Sequence, residues 1–448
     1  MRVQLFKYWD RFRSSFWLLP TFMAVGAVGL SFVSVAFDAR VTQGLSLWLG
    51  WQFTGGAEGA ASVLAAVAGS MITLAGVVFS MTLVALSLAS SQLGPRLLRN
   101  FMRDTTTQVV LGTFVSTFLY CLLVLRTIRR AEEISFVPHV SVALGVVAAV
   151  LSVGVLIYFI HHVSVSMQAN EIVARVGKDL IEELNRLFPV GIGPVPWKTK
   201  TQEPDADPSV VFSLEASPVL SRGDGYIQFI DVDALIALAK QADLVVRIVR
   251  TPGDYMVADC PLVVVWPPCS DVELLRERVN AAFVLGNQRT TGQDIEFVVN
   301  QLVEVAVRAL SPGLNDPFTA ITCLDHLGSA LCRLATREWP SVYRYDEKDK
   351  LRVVTSIATF GGITDAAFNQ IRQCSQSSPA VIIRLLETIV VIAGFVHRPE
   401  DRATLLRHAG MVVRGARHSL SEAGDLQAVE ERYTKAMRLC GEQDGARG

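Results

Sequence analysis

The chain has 448 residues, of which 51% are hydrophobic and 19% charged, with a formal net charge of -1. That charge fraction lies below the roughly 25% of an ordinary soluble chain, and the balance argues against nucleic acid as a partner, which demands a basic surface. The seven cysteines form no Cys-x-x-Cys pair and are odd in number, so they read as reduced thiols, with neither a disulfide framework nor a zinc site.

In chain order, charges are few and clustered before about residue 165 and dense after it. Four uncharged windows stand out: Ser14 to Phe37, Gly59 to Pro95, Thr105 to Leu125 and Ile134 to Asn170. Each reaches the roughly 20 residues that cross a hydrocarbon core, where an open chain satisfies its backbone only as helix. The reading is a transmembrane domain over residues 1–163, with spans near 16–37, 62–90, 107–126 and 138–160. Ser34-Val35-Ala36 has the small residues of a signal-peptide cleavage site, but the apolar stretch before it is too long for a signal core. No Asp, Glu, Lys or Arg falls inside the four windows, which counts against an ion-coupled pump but not against a passive pore.

Orientation follows from Lys and Arg in the short connections. Arg2, Lys7, Arg11 and Arg13 precede span one; Arg96, Arg99 and Arg103 follow span two; Arg175 and Lys178 follow span four. The other side carries Arg40, Arg126, Arg129 and Arg130. Both termini are therefore expected on the cytoplasmic side. Trp9, Trp17, Trp48 and Trp51 suit interfacial belts.

Span two is over-long: about 37 apolar residues make roughly 55 Å of helix. It carries Ser62, Ala66, Gly69, Thr73, Gly76, Ser80, Leu83, Ser87 and Ser90 at alternating steps of four and three, hence on one face. Two readings stay open. The face is a packing seam, because small residues let membrane helices approach closely. Alternatively, it is the wall of a water-filled path when several copies surround an axis.

Beyond the spans, His161 and His162 read as interfacial rather than metal-binding. Residues 164–188 have helical periodicity through Ile172, Val173, Val176, Leu180 and Leu184, and read as a stalk. Five prolines mark a linker at 189–208. A small αβ module follows at 209–268, with strands near 210–214, 226–230, 244–249 and 262–266, and a type II turn at Thr251-Pro252-Gly253-Asp254. Arg222-Gly223-Asp224-Gly225 is a loop without the Lys-Ser/Thr of a phosphate-binding P-loop. A helical domain occupies 269–440, with candidate helices 271–284, 292–310, 317–338, 349–359, 363–376, 379–396, 400–417 and 420–440, before a disordered tail at 441–448. The fold class is therefore a mainly α membrane protein: a four-helix transmembrane bundle plus a cytoplasmic α+β region.

Two loops concentrate unusual residues. In the first, Arg289, Thr290 and Thr291 precede Gly292, Gln293 and Asp294, where a Thr or Asp caps the following helix. In the second, Ser311-Pro312-Gly313-Leu314-Asn315-Asp316-Pro317, Pro312 ends a helix and Gly313 is suited to a left-handed turn. Asp316 is a natural cap and Pro317 suits the first helical position. Asn315 is least explained by capping; Arg289, Arg308 and Asp325 are candidates to cluster with it.

Those two loops, together with the runs Val78 to Leu98 and Gly223 to Asp231, resemble the domain-of-unknown-function 2254 family of bacterial membrane proteins. The four motifs occur in order, and the resemblance runs over about 90% of the chain, with the last ~30 residues outside it. The resemblance implies four spans and a cytoplasmic tail, and it brings no catalytic residues. No nucleophile–base pair, paired carboxylates or metal-ligand set is legible, so an enzyme is not expected and no cofactor is implied. The leading reading is a homo-oligomeric channel in the lipid bilayer, regulated by its cytoplasmic domain and conducting an inorganic ion or small solute. The alternative is a non-conducting, membrane-anchored sensor or scaffold whose cytoplasmic domain binds a small ligand or partner.

Overall fold

The computed structural model describes residues 17–41, 56–94, 104–128, 137–166, 168–188, 216–268 and 272–441. The linker at 189–208, the strand expected at 210–214, the tail after 441, most of the loop arginines and Trp9, Trp48 and Trp51 fall outside them. The chain divides into two compact units, one spanning residues 8–168 and the other built mainly from Ala169 onward.

The first unit contains α1 (Leu18–Val41), α2 (Gly56–Leu93), α3 (Thr105–Thr127) and α4 (His139–Ser166). All four are long and apolar enough to cross a membrane. The hub is α3, not the over-long α2. Half of its most apolar stretch is buried, against 17–22% for the other three, and it packs on all of them. Small residues make that possible at two places. A Cβ on Gly112 of α3 would strike the Met23 side chain and crowd the Pro20 backbone of α1, and one on Gly145 of α4 would press on Leu64 of α2. Leu64, Ala68, Met71, Ala75 and Val78 supply the buried face of α2.

The expectation that no charge sits inside a span does not hold. The helix α1 runs beyond its uncharged window to Val41 and takes in Asp38, which is 7% exposed. Its carboxylate accepts the backbone N–H groups of Val140 at 3.0 Å and Ser141 at 2.9 Å, and the Ser141 hydroxyl at 2.6 Å. A residue of the first span thus caps the fourth, filling acceptor positions that every helix N-terminus needs. Toward the other end of α4, His162 Nε2 lies 3.0 Å from the Asp104 carboxylate. Asp104 also caps α3 through the Thr106 N–H.

The second unit begins with α5 (Ala169–Leu187). Its periodicity is helical as read, yet this segment is no free-standing stalk. Ile172, Val173, Val176, Leu180 and Leu184 are buried as it packs on α8 (Ile295–Ala309) and α9 (Pro317–Ala335). Gly177 lies so close to the His326 ring that a Cβ there would overlap it.

Two small sheets follow. The five-stranded sheet has the order β1 (Ser217–Leu220), β5 (Pro261–Trp266), β3 (Val245–Ile248), β8 (Leu351–Val354), β7 (Tyr343–Tyr345). Only β3 and β8 pair in parallel, with Val246 opposite Val353. The three-stranded sheet has the order β4 (Tyr255–Met256), β2 (Gly225–Ile230), β6 (Phe283–Gly286). In the chain, α6 (Val232–Ala242) follows β2 and α7 (Val272–Ala281) precedes β6. The turn at Thr251–Asp254 has the expected geometry: Gly253 takes φ +97° and Asp254 N–H returns to the Thr251 carbonyl at 3.1 Å.

Three of these strands correct the reading of everything after 268 as helical. The segment 283–286 is a strand, and the helix expected at 349–359 is instead β8 with its following loop. The hairpin β7–β8 closes on Asp346, whose carboxylate accepts from Arg352 Nε at 2.7 Å and from the backbone of Lys348 and Lys350. Burial would raise the Asp346 carboxyl, but these donors outweigh it and hold it at about 2. The remaining helices are α10 (Phe360–Cys374), α11 (Pro379–Ala393), α12 (Pro399–Ser419) and α13 (Ala423–Gly441).

Candidate functional site

The first signature loop is knotted into place by its own side chains. Arg289 makes a two-pronged ion pair with Asp294, 2.7 Å at both oxygens. Asp294, 5% exposed, also caps α8 through the Phe297 N–H at 3.0 Å. Gln293 pairs both of its amide groups with the backbone of Ile230 at the end of β2, accepting at 2.8 Å and donating at 3.2 Å. The Thr290 hydroxyl donates to the Gln228 carbonyl at 3.2 Å. Gly253 is pressed against this knot, and a Cβ there would run into the Asp294 carboxylate.

The knot forms one wall of a cleft of about 500 Å³. The other walls are the C-terminal end of α5 (Leu187, with Phe188), the Arg250–Asp254 turn after β3, Arg344 on β7, and the Thr355–Thr359 loop leading into α10. Because β3 and β8 are parallel, their carboxyl ends deliver Arg250 and Thr355–Thr359 to the same side. That edge is where open α/β sheets hold ligands.

The charged groups of the wall divide into two sets. Arg289 and Asp294 satisfy each other, and Asp254 accepts the Thr251 N–H and hydroxyl. By contrast, no described residue pairs with the exposed Arg250 or donates a hydrogen bond to the half-buried Glu296. Arg344 donates only to the backbone carbonyls of Ser341 and Tyr343. Burial, and then the charges of Asp294 and Asp254, push the Glu296 carboxyl up, against the pull of Arg289. Burial pushes the Arg344 guanidinium down. Both shifts mark charge held without a matching partner, the pattern of a binding cleft.

The second signature loop is elsewhere and does not line this cleft. Asp316 caps α9, accepting the Phe318 and Thr319 N–H groups at 3.1 Å each and the Thr319 hydroxyl at 2.5 Å, with Pro317 at the first helical position. Ser311 supplies the carbonyl that receives the Leu314 and Asn315 N–H groups. The left-handed residue is Asn315, φ +46°, not Gly313. That accounts for the asparagine, which tolerates this region better than most side chains. The expected cluster around it does not form through ion pairs: Arg289, Arg308 and Asp325 pair with Asp294, Glu304 and Arg384. Pro312, Gly313, Leu314 and Phe318 are exposed, Phe318 by 78%.

In the membrane-helix unit, the stripe of α2 faces away from the bundle. Ser62, Ala66, Gly69, Thr73, Gly76, Ser80, Leu83 and Ser87 are all exposed and Ser90 is half-buried. A Cβ on Gly69 or Gly76 would meet nothing within 4 Å. The Thr73 hydroxyl bonds back to the Gly69 carbonyl at 2.9 Å. The packing-seam reading therefore fails within one copy, where Gly112 and Gly145 make the close approaches instead.

Sequence reasoning singled out Arg289, Gln293 and Asp294 but missed Arg250, Glu296, Arg344 and Thr359. Glu296 was within reach, two residues past the knot on α8. Arg344 gave no signal, because its strand went unrecognised.

Four helices long and apolar enough to cross a membrane, followed by a mixed sheet-and-helix C-terminal unit, are the makeup of a membrane protein with four candidate spans. The family described as predicted membrane proteins, DUF2254, matches residues 13–390, and the chain belongs to it. Uncharacterised proteins of Mycobacterium bovis and Mycobacterium tuberculosis are 33% identical over 424 residues, covering 93% of this chain and 79% of theirs. No solved structure matches.

Proposed function

We propose that this protein is a ligand sensor anchored in a bacterial inner membrane, whose C-terminal unit takes up a small molecule in the cleft behind the Arg289–Asp294 knot. The carrying observation is that a cleft of about 500 Å³, within the range of small-molecule sites, has charged wall groups that no described residue pairs. The Lys and Arg distribution supports a cytoplasmic position for this unit. The test is thermal unfolding of the full chain in detergent against a chemically broad small-molecule library. At least one compound should raise the unfolding temperature, and Ser356→Trp, which places an indole at the cleft wall, should abolish that rise. A library that shifts nothing would sink the proposal.

A second reading keeps the homo-oligomeric channel, and one observation favours it. The exposed small and hydroxylic face of α2 is suited to a second copy or to a water-filled path around an axis. The two readings are compatible, since a cleft ligand can gate a pore. Native mass spectrometry of the purified protein should give an assembly of several copies that Gly69→Leu and Gly76→Leu weaken. A monomer without ion flux in liposomes would end this reading.

A further inference from the structure

Resting on the cleft reading above, we propose that the ligand is a small amphoteric molecule of about mononucleotide size. Its acidic group, a phosphate or carboxylate, is held by Arg344 and Arg250, and an N–H donor on the same molecule is held by Glu296.

Half-buried charge without a partner is costly, and the cost is recovered when a ligand supplies the complement. Arg344 spends its hydrogen bonds among the described residues on two backbone carbonyls, both from Nη1, and leaves Nε and Nη2 open. That free edge of a guanidinium is the fork that takes two oxygens of a carboxylate or phosphate. Arg250, at the carboxyl end of β3, adds a second cation to the lining of the same cleft.

The loop after β8 runs into α10, where the Thr359 hydroxyl accepts the Gly362 N–H at 3.1 Å. The Glu296 carboxylate already faces this helix start, so the ligand's acid falls to the arginines and not to the helix dipole.

Glu296 narrows the class. Its Oε1 lies 3.7 Å from the position a Cβ on Gly362 would take, so the carboxylate stands at the same end of the cleft. An ionised carboxylate only accepts hydrogen bonds. A bare phosphate or polyphosphate filling the cleft would face Glu296 and Asp254 across a short distance and be repelled. A molecule with an acid at one end and an N–H donor at the other satisfies all three unpaired groups at once. The volume points the same way, because a lone inorganic ion would leave most of about 500 Å³ empty.

Calorimetric titration of the full-length protein in detergent tests this with five probes. Guanosine 5′-monophosphate offers phosphate plus N–H donors. The dipeptide alanyl-glutamine offers carboxylate plus N–H donors. Guanosine lacks the acid; inorganic phosphate and acetate lack the donor. Either guanosine 5′-monophosphate or alanyl-glutamine should bind at least tenfold more tightly than the half-probes, and which one does so identifies the acid. For that probe, Arg344→Gln and Glu296→Gln should each cost about tenfold or more, with Glu296→Gln leaving inorganic phosphate binding equal or stronger. Arg250→Gln, at an exposed position without a hydrogen bond or ion pair to any described residue, repeats the test should Arg344→Gln fail to fold. The proposal is overturned by half-probes that match the whole ones, or by binding indifferent to Arg250→Gln and Glu296→Gln. If only uncharged library compounds bind, and Ser356→Trp removes them, the cleft reading survives and the amphoteric class falls. If nothing binds, both fall.

Discussion

The two signature loops use the same local chemistry for different ends. Each closes on an aspartate that caps a helix, Asp294 for α8 and Asp316 for α9. Each would serve as a plain corner between elements. Yet Asp294 is also locked to Arg289, and its loop is tied to β2 through Gln293, so that one turn braces a sheet edge, a helix start and a cleft wall together. Asp316 braces only its own helix, and the loop before it is open to solvent on one side. A cap is thus local reinforcement in one place and the keystone of a site in the other. The difference lies in what the capping residue touches on its far side, not in the cap.

Substitutions at four positions would break or sharpen that contrast. Asp294→Ala should be the most damaging, at about 3 kcal/mol, because it removes a cap and leaves the Arg289 guanidinium without its partner; urea unfolding measures the loss. If it costs no more than a simple cap, the bracing role is wrong. Asn315→Val should cost about 1–2 kcal/mol, since a β-branched side chain is strained at φ +46°, while Asn315→Gly stays near neutral. Loss of function in Asn315→Gly with stability kept would restore a binding role for that corner. Asp316→Ala should cost about 1 kcal/mol and leave cleft binding unchanged, as read by titration with the same probe. Glu296→Gln should have the smallest effect, a gain of under about 1 kcal/mol at neutral pH. The Glu296 carboxyl is held above the ordinary 4.5, so the folded chain binds its proton more readily than the unfolded chain does. Stability from this group is therefore full at acid pH and falls as pH rises from the ordinary value through the raised one. The glutamine variant should match the parent well below 4.5 and exceed it above, and the opposite trend in thermal unfolding across pH would refute the assignment.

Much of the fold was legible, and the misses have physical causes. Uncharged length marked all four membrane helices, since nothing else in a sequence imitates twenty apolar residues. The same rule misplaced the end of α1, because Asp38 was read as a boundary although a buried carboxylate with three donors continues the helix. Strand β8 escaped because it is four residues long and carries Arg352, whose side chain is buried against Asp346 and hides the alternation. The capped corner at Asp316 followed from residue types alone, as local chemistry should. The cleft did not, because its wall comes from segments far apart in the chain: the parallel pairing of β3 with β8 sets Arg250 beside the Thr355–Thr359 loop, β7 adds Arg344 and α8 adds Glu296.

The carboxylate of Asp38 has a consequence for how the chain is made. A membrane protein emerges one segment at a time, and the fourth segment reaches the bilayer about a hundred residues after the first. The opening turn of that late segment finds acceptors on a side chain synthesised long before it. Deleting the first segment would therefore leave the Val140 and Ser141 N–H groups and the Ser141 hydroxyl without these acceptors, and the start of the fourth helix would fray.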